Sequence, residues 1–67
     1  DFLAASRTGG FDRRVYYVRA GRRYWVTSSD WATSAGFRWP EDIRWLADEE
    51  IAAYGLASGP PPVPGGS

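Results

Sequence analysis

The chain has no cysteine, no histidine and no methionine, and each of its eight cationic side chains is an arginine. Without cysteine there is neither a disulfide staple nor a thiolate. Without histidine a zinc site of the usual kind is excluded. No D-x-D-x-D-G run offers calcium a set of carboxylates. No stretch approaches the roughly 20 apolar residues of a membrane span, and no signal peptide is visible. Catalysis also lacks its commonest nucleophile and base partners. The only acid clusters are Glu41-Asp42 and Asp48-Glu49-Glu50, and helix starts favour acids there anyway. No enzyme activity, cofactor or metal site is expected. The first residue is Asp1 rather than Met, which reads as a processed piece, an excised domain or part of a longer chain.

What the chain does have is aromatic side chains: four Trp, four Tyr and three Phe in 67 residues. That length allows one domain, which buries roughly 60% of its unfolded surface around a core worth about 3–5 kcal/mol. Each large aromatic residue buries roughly 150–250 Å², so a body this small has no room to hide all of them. We expect two of the four Trp buried and two at least half exposed. Grouped surface rings suggest an interface. Net charge is zero, but unevenly distributed. Six Arg from Arg7 to Arg23 stand against Asp12 alone, a local +5, and five acids from Glu41 to Glu50 stand against Arg44, a local −4. The pattern reads either as solvated faces or as a dipolar module that docks head-to-tail on its own copies.

Local patterning predicts an α+β fold: a small single domain with one β-hairpin and two short helices. Val15 to Val18 and Tyr24 to Thr27 are β-branched or aromatic throughout and form the hairpin strands. Gly21 supplies the positive φ of a tight turn. A two-residue Ala20-Gly21 turn would hold Ala20 at positive φ, so a three-residue loop with Gly21 at a bulge is preferred. Ser28-Ser29-Asp30 caps a helix over Asp30 to Ala35, closed by Gly36 in the left-handed region and followed by Phe37. Pro40-Glu41-Asp42 resembles a helical first turn. Beyond it two readings stand: one helix from Pro40 to Tyr54, or a short third strand, Ile43 to Leu46, then a helix Glu49 to Tyr54 capped by Asp48. The broken version is preferred, because Trp45 fits a continuous helical stripe poorly. Both helices are expected on one face of the hairpin. The predicted core is Val15 or Tyr16 with Val18, Val26, Trp31, Phe37, Ile43, Leu46 and Ile51.

Around this module at 11–58, residues 1–10 read as an N-terminal segment or the end of a preceding repeat. Phe2 to Ala5 suit one helical turn, which Thr8-Gly9-Gly10 breaks. Residues 59–67 read as a Pro/Gly-rich linker or tail, with a P-x-x-P core at Pro61 to Pro64 read as a spacer rather than an SH3 ligand. Leu3-Ala4-Ala5-Ser6 faintly echoes Ile51-Ala52-Ala53-Tyr54, as a chain cut from a tandem array would.

The segment Val15 to Gly59 resembles a short aromatic repeat of secreted and cell-surface bacterial proteins. The resemblance lies in the aromatic strand Val15-Tyr16-Tyr17-Val18, in Gly21-Arg22-Arg23-Tyr24-Trp25-Val26, in Ala35-Gly36-Phe37, in Trp39 to Ile43, and in Asp48-Glu49-Glu50-Ile51. That family usually has proline soon after the second strand, where this chain has Thr27-Ser28, and Ser-Asp after the Trp, where this chain has Pro40-Glu41-Asp42. The resemblance implies an extracellular, non-enzymatic module found in arrays or beside other domains.

The functional expectation is therefore interaction. The first reading is self-association or stacking with like modules, or with another surface protein, in a surface array or filament. The alternative is carbohydrate binding to a cell-wall or surface glycan. Tyr16, Tyr24, Trp25, Trp39, Trp45, Arg22 and Arg23 are the candidate ligand or interface residues. Arg interleaved with aromatic residues on a hairpin also suits nucleic acid, but zero net charge and an acidic second half argue against it.

Overall fold

In a computed structural model that describes residues 1–62, the chain folds as an α+β domain around one five-stranded mixed sheet. In chain order the strands are β1 (Phe2–Ser6), β2 (Val15–Arg19), β3 (Arg22–Val26), β4 (Ile43–Leu46) and β5 (Gly55–Leu56), and the helices are α1 (Ser29–Ser34) and α2 (Asp48–Ala52). The spatial order is β4-β1-β2-β3-β5. Strand β1 runs antiparallel to β2 and parallel to β4, and β3 runs antiparallel to β2 and parallel to β5. Val63 and Pro64 of the expected P-x-x-P core, and Gly65 to Ser67 of the expected tail, lie outside the described residues.

The main correction concerns the first residues. Phe2 to Ala5 are not a helical turn outside the module. They form an interior strand, with Leu3, Ala4 and Ala5 essentially without solvent contact. The echo with Ile51 to Tyr54 is therefore not structural: one copy is strand and the other begins within a helix. Strand β1 is paired on both sides, with β2 from Phe2 to Ala5 and with β4 from Leu3 to Ser6, so two ladders take up its backbone polar groups, which the alanine-rich sequence alone does not dictate.

Side chains alternate across the pleat, so two layers form. On one face Leu3, Ala5, Tyr17, Val26 and Ile43 meet Ala32 of α1, with Val15, Tyr24, Trp31, Phe37 and Trp39 packed around them. Tyr17 anchors this layer, its ring centre 5.0 Å from Trp31 and 5.8 Å from Phe37. On the other face Ala4, Tyr16 and Val18 are buried with Ile51 of α2, and Phe2 meets Tyr54 edge-on at 6.0 Å. The helices thus lie on opposite faces, not on one. A strand, β4, stands between them in the chain and carries the backbone across the sheet edge. Of the expected core, Tyr16, Val18, Val26, Ile43 and Ile51 are buried, whereas Leu46, Trp31 and Phe37 are partly exposed.

Helix α1 begins where Ser28 Oγ accepts the Asp30 N–H at 3.1 Å. It ends in a Schellman pattern: Gly36 N–H donates to Thr33 O at 3.1 Å and Phe37 N–H to Ala32 O at 2.9 Å, with Gly36 at φ +91°. Pro40-Glu41-Asp42 is a turn, not a helix start. Asp42 accepts the Arg38 N–H at 2.8 Å and returns its own N–H to Arg38 O at 2.9 Å, after which Ile43 opens β4. The strand-then-helix reading of 43 onward is the observed one. Asp48, however, is not the cap of α2; Ala47 holds that position. The Asp48 carboxylate accepts from Ser6 Oγ and from Thr8 Oγ1, while Ser6 Oγ accepts the N–H groups of Thr8 at 3.1 Å and Gly10 at 2.9 Å. A Cβ on Gly10 would fall 2.5 Å from that carboxylate, so any larger residue there would displace Asp48 from Ser6 and Thr8.

The hairpin turn is the two-residue one. Arg19 pairs with Arg22, and Ala20 and Gly21 stand at φ +53° and +76°, the pattern of a type I′ turn. Five registered pairs and the twist match of this turn outweigh the steric penalty at Ala20, about 1 kcal/mol. Ala20→Asn gives the residue pair this turn favours and should raise stability by about 1 kcal/mol. For a domain of this size that is a rise in Tm of about 4–8 °C, read by circular dichroism. A lowered Tm would show that Ala20 does not sit at positive φ.

Candidate interaction site

The two-residue turn sets the register, and the register decides where the candidate side chains go. Tyr16 pairs with Trp25, Tyr17 with Tyr24 and Val18 with Arg23. Tyr16 is 2% exposed beneath the α2 layer, so it is core and not interface. Tyr24 is half-buried beside Tyr17, their ring centres 6.3 Å apart.

Arg23 is likewise turned inward. Its Nη1 donates to the carbonyls of Ile51 (3.3 Å) and Tyr54, closing the C-terminal end of α2, where a cation suits both the orphan carbonyls and the helix dipole. Its guanidinium carbon lies 5.3 Å from the ring centres of both Phe11 and Tyr16. Arg22, next along the strand, is exposed. Two arginines adjacent in sequence therefore have opposite roles, because a strand turns successive side chains to opposite faces.

The four Trp split differently from the expected two and two. Trp31 and Trp39 are half-buried, Trp25 is 43% exposed and Trp45 57% exposed. Trp25 and Trp39 share a cleft of about 260 Å³ at the open end of the β2–β3 hairpin, together with Arg13, Arg14, Ser28 and Ser29. The Arg14 guanidinium lies 4.0 Å over the Trp25 ring and 3.9 Å from the Asp12 carboxylate. Phe11, Asp12 and Arg13 all stand at positive φ (+57°, +55° and +60°), a strained turn that carries Asp12 and Arg13 to the mouth of the cleft. Asp12, Arg13, Arg14, Ser28 and Ser29 were not among the sequence candidates. The two-residue turn register would have shown part of the set, since pairing Val15 with Val26 brings Arg14 beside Trp25 and Thr27.

Trp45 stands apart, on edge strand β4. No other ring and no guanidinium stacks on it among the described residues. The ion pairs among these residues are Arg14–Asp12 and Arg38–Asp42, close in sequence, and Arg19–Asp1, from the end of β2 to the start of the chain. None joins the basic stretch 7–23 to the acidic stretch 41–50. No helix among the described residues is long and apolar enough to cross a membrane.

Comparison with protein-family models, with curated proteins and with solved structures finds no match to this chain.

The inward and outward arginines separate in stability. Arg23→Met keeps the aliphatic stem but removes the bonds to the α2 carbonyls, and should cost about 2 kcal/mol in urea unfolding. Arg22→Met should change stability by less than about 0.5 kcal/mol. Equal effects would show that Arg23 does not close the helix.

Proposed function

We propose that this protein is a non-catalytic, extracellular interaction module that self-associates through the free edge of β4. The observation that carries this reading is the backbone arithmetic of that edge. Leu46 O accepts the Arg7 N–H at 3.0 Å, so Leu46, and two residues earlier Arg44, direct their polar groups toward β1. Ile43 and Trp45 then direct theirs outward. The Ile43 N–H is taken by Pro40 O at 3.0 Å. The Trp45 N–H and C=O remain as the outward donor–acceptor pair on an edge that no strand of the described residues covers.

A second copy satisfies that pair. In an antiparallel β4–β4 contact centred on Trp45, each Trp45 exchanges both backbone bonds with its counterpart, joining two sheets into one. The local two-fold axis preserves sheet faces, so the two indoles come side by side as a cross-strand aromatic pair. Each Arg44 falls opposite a Leu46, which avoids an Arg–Arg pair. An array needs a further contact, and the opposite edge offers Leu56, 63% exposed on β5. The resemblance to a surface repeat supports the extracellular setting and the pairing of like modules.

Sedimentation over a wide concentration range tests this. A monomer–dimer equilibrium is expected. It should be lost in Trp45→Lys, a charged edge residue of the kind that blocks strand pairing, and kept in Leu56→Lys. A steady monomer at high concentration, or loss of the dimer only in Leu56→Lys, overturns the assignment.

A further inference from the structure

The β4 edge leaves unused the cleft at the open end of the β2–β3 hairpin, whose lining includes no residue of β4. We infer that this cleft is a binding subsite for one acidic sugar unit, a hexuronate residue of an anionic polysaccharide. Four observations converge on that chemistry. The first is size: about 260 Å³ lies just under the roughly 300 Å³ at which pockets begin to take drug-sized ligands, and so suits a single ring. The second is that two indoles, Trp25 and Trp39, line the cleft and supply apolar surface for the C–H groups of a pyranose.

The third is charge. The lining holds Arg13 and Arg14 against Asp12 alone. Arg14 is already ordered between the Trp25 face and the Asp12 carboxylate, at 4.0 and 3.9 Å. Arg13 makes no ion pair among the described residues, and its guanidinium is free to take a carboxylate through two parallel N–H donors. The fourth is the hydroxyl complement. Ser29 and Ser28 line the same cleft, and Ser28 Oγ, though accepting the Asp30 N–H, still has its own proton to donate. Asp12 is left to accept from ring hydroxyls. The strained turn at Phe11 to Arg13 is what holds these groups at the mouth, and such strain is characteristic of ligand clamps.

A nucleic-acid strand fits less well. A protein of zero net charge gains little from a run of phosphates, and the acidic second half would repel them. The inference does not depend on self-association, since the cleft and the β4 edge share no side chain.

The four indole N–H resonances make the test residue-specific. The intact chain is titrated with galacturonate trimer, with a neutral glucose trimer and with a nucleoside monophosphate, followed by NMR. Saturable shifts confined to the Trp25 and Trp39 indoles are expected with the galacturonate trimer, with the neutral trimer about tenfold weaker, the effect of losing one charge-assisted contact. Arg13→Gln, an exposed position whose replacement leaves the fold intact, should weaken the acidic sugar about tenfold and leave the neutral one unchanged. Added salt should weaken only the acidic sugar. Equal binding of the two sugars, stronger binding of the nucleotide, shifts at Trp45 in place of Trp25 and Trp39, or no shift with any ligand would each overturn the inference. Loss of dimerisation with these shifts intact would count against the β4 reading alone.

Discussion

The organisation of this domain depends on the pairing of β1 on both sides. Strand β1 sets the register of β2 and β4 directly, and of β3 and β5 through β2. It does so with very little side-chain volume. Ala4, Ala5 and Ser6 follow Leu3, so the layers on the two faces can approach the backbone closely. Ser6 adds the one polar tie in this buried strand: through Asp48 it fixes the start of α2 to the loop that leaves β1. Close approach repeats at Gly10, where a single extra carbon would meet the same carboxylate. In a body with a core this small, removing β1 would expose both faces at once and leave β4 without a neighbour.

The sequence was most readable where a short stretch carries its own chemistry. The hairpin strands announce themselves by β-branched and aromatic runs, α1 by Ser28 at one end and Gly36-Phe37 at the other, and the break between β4 and α2 by the poor helical placement of Trp45. These are decisions of a few residues. The residues of β1 carry no such signal. Phe-Leu-Ala-Ala-Ser has no two-residue alternation, because both of its faces are covered, and its alanines favour helix in isolation. Its conformation is a tertiary outcome. The side on which each helix lies is tertiary too, because it follows from β4 crossing to pair with β1.

The hairpin turn shows how one local preference propagates. Disfavouring Ala20 at positive φ is sound for one residue, but the turn belongs to five registered pairs, and the ladder outweighs it. With that register unknown, the faces of Tyr16, Arg23 and Trp25 are unknown, and so is the partnership of Arg14 with Trp25. Ring volume made it legible that some large rings must reach the surface; Trp25 and Trp45 are exposed, whereas Trp39 is half-buried. Tyr16 and Arg23 were not separable from them until the strand phase was fixed. Asp12, Arg13, Ser28 and Ser29 reach the cleft by loop geometry that no pairwise spacing encodes.

The absence of lysine acquires a structural meaning in this setting. Of eleven aromatic residues (four Trp, four Tyr, three Phe), only Tyr16 and Tyr17 are buried. Arginine covers part of the remainder: Arg14 lies over Trp25, Arg23 near Phe11, and Arg44 over Phe2 at 4.5 Å. A planar guanidinium can lie on a ring while its edge keeps its hydrogen bonds, which an ammonium group does less well. Arginine thus supplies, around the rim, cover that a body of this size cannot provide from within. The same device distinguishes the two exposed tryptophans. Trp25 carries an ordered cation beside a polar-lined cleft, an arrangement suited to a small charged ligand. Among the described residues Trp45 carries no such cover and lies on a strand whose outer edge no other strand pairs. In the proposed β4–β4 contact its apolar surface and its backbone pair would be met together by one occupant, another strand.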